Sequence, residues 1–203
     1  MEVEAPTATK GRPREFCVDA ALASALRVFW SKGYEGASMT DLTDAMGITK
    51  PSLYAAFGNK EALFTKALDL YEREKLAFMR AALDAPTARG VAERLMHGAL
   101  DMHSCPENPG GCLGVINSMA CGAEAECIRD AVVARSAVAK RAMLDRFERA
   151  RQEGDLPADV EPEGLAAYLT AIFQGMAVQA GAGATRAELE RLVDTSLKLW
   201  PGR

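Results

Sequence analysis

The sequence predicts an all-α fold of about nine helices, and three observations carry that prediction. Apolar residues recur at helical spacing along most of the 203-residue chain, and no segment alternates as a strand would. Only 6% of residues are aromatic, whereas Ala, Leu and Met are plentiful, a mixture that favours helix over sheet. Helix starts and stops can also be read between the periodic segments. With 49% of its residues apolar, a chain of this length can bury a core without metal or disulfide staples.

Residues 1–14 are polar and form a candidate flexible arm with Lys10, Arg12 and Arg14. Apolar positions 18, 22, 25, 26 and 29 then mark a first helix over 17–32, stopped by Gly33. Thr40 is a candidate N-cap for a second, short helix that carries Leu42, Ala45 and Met46 and ends at Gly47. Ile48 is expected as a buried turn residue, and Pro51, tolerated only in a first turn, opens a third helix with Leu53, Tyr54 and Phe57. Two short helices joined by a glycine-containing turn make a helix-turn-helix, whose second helix enters the major groove of DNA. Helical hairpins also arise in purely structural domains; read as a helix-turn-helix, the pair makes residues 15–60 a DNA-binding head.

The body, residues 61–203, continues with a helix over 60–83 capped by Asn59, and another over 87–103. The Cys105-Pro106-Glu107-Asn108-Pro109-Gly110-Gly111 stretch is a loop. Helices over 112–121, 124–153, 161–181 and 185–199 complete the chain. Ala166, Leu169, Thr170, Phe173 and Ala177 share one face of the penultimate helix, and Leu189, Leu192, Val193, Ser196 and Leu197 one face of the last. Such faces suit either a four-helix dimer interface or the monomer's own core.

Charge narrows the function. The net charge is −4, yet residues 10–60 hold seven Lys/Arg against five Asp/Glu, so DNA binding would rely on a few well-placed cations. No run of about 18 apolar residues is present to span a membrane, and the start of the chain does not look like a signal peptide. A cytoplasmic home and reduced thiols are expected. Cysteines at 17, 105, 112, 121 and 127 lack zinc-site spacing, and no cofactor or metal is expected. Cys112 follows two glycines near a helix start, which suits a reactive thiol as well as a small buried hydrophobe. An enzyme with a cysteine nucleophile would need a nearby base, and His97 and His103 carry no catalytic signature around them.

The run Phe29-Trp30-Ser31-Lys32-Gly33-Tyr34-Glu35-Gly36-Ala37-Ser38 resembles the TetR family of bacterial regulators. So do Asp41-Leu42, Met46-Gly47-Ile48-Thr49-Lys50-Pro51-Ser52-Leu53-Tyr54 and Phe57-Gly58-Asn59-Lys60-Glu61-Ala62-Leu63. The resemblance covers about 16–65 strongly, with a compatible helical layout beyond. Two positions depart from it: Ala55 and Ala56 follow the tyrosine where relatives are bulkier, and Thr43 stands where Ala is common.

The resemblance implies a homodimer through the last two helices, bound to a near-palindromic operator on double-stranded DNA and released by a small-molecule effector. Thr40 and Lys60 would hold phosphates at helix N-termini. Tyr54 would pack its ring and offer its hydroxyl to the DNA backbone, and Thr49, Lys50 and Ser52 would meet bases. In the body, Met96, Leu100, His103, Cys112, Asn117, Met119, Phe147 and Phe173 are, as a group, candidates to line the effector pocket, although any one of them singly suits the core better. A ligand-binding module that has lost DNA contact is the competing reading, and Thr40, Tyr54 and Lys60 speak against it.

Overall fold

The computed structural model describes residues 17–119, 122 and 125–201, so the expected arm and Cys121 lie outside the described residues. Among the described residues ten helices follow one another: α1 (Val18–Gly36), α2 (Met39–Met46), α3 (Lys50–Phe57), α4 (Lys60–Lys75) and α5 (Ala77–Ala82), then α6 (Ala88–Ser104), α7 (Leu113–Ser118), α8 (Glu126–Gln152), α9 (Pro162–Gly181) and α10 (Arg186–Lys198). There are ten rather than about nine because the helix expected over 60–83 is interrupted at Leu76, which leaves helical geometry at φ −106°, ψ 7°. Gly33 does break α1, at φ 71°, but a further turn with Tyr34 packs on beyond it.

Two apolar cores form. The first joins α1, α2, α3 and α4 through Phe29, Trp30, Leu42, Leu53 and Phe64, and it extends to Leu113 of α7 and Ile128 of α8. Edge-to-face rings knit it together: Phe29 on Phe64 at 5.1 Å and Trp30 on Tyr71 at 4.8 Å. The head therefore shares its core with part of the body. The second core is built from α6, the C-terminal half of α8, α9 and α10, around Leu95, Phe147, Leu169 and Val193.

The terminal faces serve the second of their two expected uses, as part of the monomer's own core. Ala166, Leu169 and Ala177 of α9, and Leu189, Val193, Ser196 and Leu197 of α10, are buried inside the monomer, with Thr170, Phe173 and Leu192 half-buried beside them. Packing of these two helices against α6 and α8 consumes the apolar stripe. The outward stripe of α9 consists instead of Ala167, Ala171, Gln174 and Val178.

The loop before α7 and α7 itself run along α1 as a strap. Arg27 Nη1 donates to Glu107 O at 2.9 Å and Trp30 Nε1 to Gly111 O at 3.0 Å. Tyr34 N donates to Asn117 Oδ1 at 2.8 Å, and Glu35 Oε1 accepts from Gly122 N at 3.0 Å. On its other side the strap meets α9, where a Cβ added to Gly110 would lie 3.2 Å from Ala180 O.

Candidate functional site

The head presents its second short helix by anchoring every end of the motif. Ser38, not Thr40, caps α2: its Oγ accepts from Asp41 N at 3.0 Å while Asp41 Oδ2 accepts from Ser38 N at 2.9 Å. This reciprocal box satisfies two helix-end donors. Lys32 Nζ lies 2.5 Å from Asp41 Oδ1, and with the Ser38 hydroxyl it holds the Asp41 carboxyl well below the usual carboxylate range. Thr40 sits exposed in the first turn of α2, beside the helix's N-terminal N–H groups. Thr43 is tolerated because its buried hydroxyl donates to Met39 O at 3.0 Å.

Gly47 makes the turn in the left-handed region, at φ 66°, which an L side chain would resist. Ile48 is only partly buried there. Thr49 caps α3, its Oγ1 accepting from Ser52 N at 3.3 Å and lying 3.0 Å from Ser52 Oγ. Leu53 and Phe57 turn inward, so Lys50, Tyr54, Ala55 and Ala56 turn outward. Tyr54 is 51% exposed, and the inward face of α3 is filled by Leu53 and Phe57.

The N-terminus of α4 stands beside this face. Asn59 caps it, with Oδ1 accepting from Ala62 N at 2.7 Å. Lys60 in the first turn holds its ammonium 4.4 Å from the centroid of the Tyr34 ring, a cation–π contact that steadies the charge near the positive end of the helix. Sequence reasoning missed this support and the Ser38 cap, although Ser38-Met39-Thr40-Asp41 carries a capping-box spacing.

Among the described residues the expected effector-pocket residues do not surround one cavity. Met96, Leu100 and Phe147 are fully committed to the second core, and Phe173 packs on it. Met119 is 66% exposed because α7 ends at Ser118 and its side chain no longer faces inward. Asn117 is buried but occupied: besides Tyr34 N, its Nδ2 donates to Leu113 O at 2.8 Å, so it is a strut.

His103 and Cys112 lie nearer the first core. Burial pulls the His103 pKa below its ordinary value, against an opposing contact with the Gly111 backbone, and its shielded Nδ1 has no hydrogen-bond partner among the described residues. Cys112 is half-buried, and its Sγ accepts from Tyr71 OH at 3.2 Å. Burial, reinforced by that sulfur, pushes the Tyr71 phenol well above its ordinary pKa.

Two shallow depressions stand out among the described residues. One, about 390 Å³, lies between Ser24, Arg27, Val28 and Ser31 of α1, Ala45 and Pro109. The other, about 330 Å³, lies between Leu83 and Asp84 and the α8 residues Ala142, Asp145, Arg146 and Arg149. Neither contains a residue expected in the pocket. Among the described residues no group of three or more His, Cys, Asp or Glu is placed to hold a metal, and no helix is long and apolar enough to cross a membrane.

Comparison with known proteins gives matches on both halves. Residues 21–67 match the model for bacterial regulatory proteins of the tetR family, and residues 92–195 match a tetracyclin repressor-like C-terminal domain. The HTH-type transcriptional repressor ComR of Escherichia coli is 31% identical over 195 residues, covering 95% of this chain and 93% of its own. The repressor BdcR of the same species is 37% identical over 106 residues, covering 51% of this chain and 52% of its own. Among solved structures, a cysteine mutant of the TetR family regulator CifR, complexed with 26-bp double-strand operator DNA, superposes with a TM-score of 0.88. It is 41% identical, and the match covers 94% of this chain and 100% of that one.

Proposed function

The chain belongs to the TetR family of bacterial transcriptional regulators, and from that premise we propose that it is a cytoplasmic, dimeric DNA-binding repressor that a small-molecule effector lifts from a near-palindromic operator. The observation that carries this reading is the outward face of α3, where Lys50 and Tyr54 stand clear of the core beside Lys60 at the start of α4. Lys60 and the exposed first turn of α2 at Thr40 are suited to phosphates, which position the head without reading sequence. Lys50 and Tyr54 then face the groove. Thr49 and Ser52 keep the leading edge of α3 in shape while leaving hydroxyl lone pairs for DNA. Relatives named as repressors support repression over activation.

DNA selected from a random pool and titrated by fluorescence anisotropy at several salt concentrations tests the assignment. Log affinity should fall linearly with log salt. Lys60→Ala should weaken binding to all sequences and make the slope shallower by about one, whereas Lys50→Ala should change which sequences are preferred. An unchanged slope in Lys60→Ala removes that residue from the interface.

A second reading of the effector step is favoured by the Tyr71 hydroxyl on Cys112 Sγ: a hydrogen-bond donor on a half-buried thiol suits covalent capture of an electrophile. In that case Cys112→Ser binds operator but loses release by a mild electrophile. A non-covalent effector releases both proteins alike.

A further inference from the structure

We propose that Arg146, with Arg149, forms a binding site for a small carboxylate on the surface of the body, between α8 and the turn that follows α5. Arg146 is the only fully buried charged side chain among the described residues, at 5% exposure, and it makes no ion pair among them. Its Nε donates to Leu83 O at 3.1 Å and its Nη2 to Ala85 O at 2.8 Å, whereas Nη1 has no hydrogen-bond partner. The two carbonyls fix the plane of the guanidinium but carry no countercharge. Arg135, on the same helix and less buried, has both Asp69 and Glu72. Buried charges are normally paired as well as hydrogen-bonded, because an unpaired one is costly to desolvate. Burial, then the charge of Arg149, holds the Arg146 pKa below the ordinary guanidinium value, while Glu153 and Asp155 pull the other way. A site built this way calls for an anion.

The depression of about 330 Å³ that Arg146 lines supplies the room. Small-molecule pockets begin at roughly 300 Å³, so the ligand is small. The lining divides by chemistry: Leu83 and Ala142 give an apolar wall, Arg146 and Arg149 two guanidinium groups, and Asp84 and Asp145 negative charge. Asp145 is already engaged, its Oδ1 lying 2.6 Å from Arg141 Nη2, whereas Arg149 Nε has only a long contact of 3.7 Å with Glu153. The unused capacity is therefore in the cations.

The two acidic side chains limit the charge the site accepts, favouring a monoanion over phosphate. A carboxylate matches the planar fork of a guanidinium and takes Nη1 and an N–H of Arg149, while a short aliphatic tail covers Leu83 and Ala142. Nη1 is shielded from solvent, so the ligand meets exposed Arg149 first and reaches Nη1 as the rim side chains turn, on the fast timescale of exposed rotamers. None of the residues expected in the effector pocket lines this depression. The proposal concerns binding alone and stands whether or not the chain is an effector-controlled regulator.

The test uses butyrate as probe on the full chain at constant ionic strength, with calorimetry and thermal melting as readouts. Wild type should bind butyrate and melt at a higher temperature with it. Acetate, lacking the tail, should bind more weakly, and neutral butyramide and inorganic phosphate at least about tenfold more weakly than butyrate. Arg149→Gln, at an exposed position, should keep the fold and lose roughly tenfold in butyrate affinity. Arg146→Lys keeps the charge but not the fork and should lose as much, and Asp84→Asn should bind butyrate more tightly. If Arg146→Lys does not fold, Arg149→Gln and the comparison of butyrate with butyramide still decide. No binding of butyrate by wild type, butyramide or phosphate binding as tightly as butyrate, or an affinity unchanged in Arg149→Gln overturns the proposal.

Discussion

Replacing Asn117 by Ala separates a structural strut from a ligand contact. Asn117 is 1% exposed, and its amide spans two elements: Oδ1 accepts from Tyr34 N on α1, and Nδ2 donates to Leu113 O on α7, both at 2.8 Å. Truncation withdraws the acceptor that the buried Tyr34 N–H uses, which costs about 1–3 kcal/mol. The small void left by the amide raises the total to roughly 2–4 kcal/mol. Urea unfolding should show this as a lower midpoint at unchanged slope.

Asn117→Asp keeps the acceptor for Tyr34 N but sets a carboxylate where the Leu113 carbonyl had a donor. Burial raises such a carboxyl's pKa in the folded protein above its unfolded value of about 3.9. Its penalty is therefore absent below that pH and grows as pH rises. The Asp variant should approach wild-type stability in acid, and the Ala variant should not. A loss below about 1 kcal/mol in Asn117→Ala, with a changed effector response, would refute the strut and restore Asn117 to the pocket.

Two further outcomes follow from the geometry. Burial holds His103 neutral, so the unfolded chain, titrating near 6.5, takes up protons that the fold refuses. Stability should fall as pH drops below about 6.5 and level off below the folded pKa, and the decline in melting temperature between about pH 7.5 and 5.5 should be smaller in His103→Gln. For assembly, Ala171→Glu with Val178→Glu charges the outward stripe of α9, where Val178 is 55% exposed, without touching the monomer core. The variant should sediment as a monomer with wild-type secondary structure and reduced operator affinity; sedimentation identical to wild type would move the interface elsewhere.

The head was legible from sequence because local chemistry decides it. Gly47, Pro51, Asn59 and the inward pair Leu53 and Phe57 each act within a turn or two of themselves, and each performs the role its spacing implies. The Thr40 cap failed only because Ser38, two residues earlier, offers a better box with Asp41. The body was legible as helices but not as a site. An apolar stripe looks the same whether it faces a ligand, a partner or a neighbouring helix, so Phe147 and the α9 and α10 faces could not be told from core. Asn117 was singled out as a pocket-lining residue, but its partner Tyr34 is 83 residues away, a pairing no local pattern records. Arg146 went unremarked for the same reason: its meaning lies in a contact between a helix and a distant turn.

Control of the head must act through whatever joins it to the body, and beside the shared first core two sets of polar contacts do so. Arg135 of α8 reaches Asp69 at 2.7 Å and Glu72 at 2.9 Å on α4, and the strap holds α1 through Arg27, Trp30, Tyr34 and Glu35. The α4 pairs are partly exposed and contribute little each. Each hydrogen bond of the strap is worth about 0.5–1.5 kcal/mol net, so the four together amount to roughly 2–6 kcal/mol. Moving a two-state equilibrium from one extreme to the other takes a differential affinity of about 5.5 kcal/mol. The two magnitudes match. A single small ligand therefore has enough free energy to release the strap, but only if it binds the released form far better than the latched one. Tight binding that favours neither form would leave Trp30 on Gly111 and the head where it is.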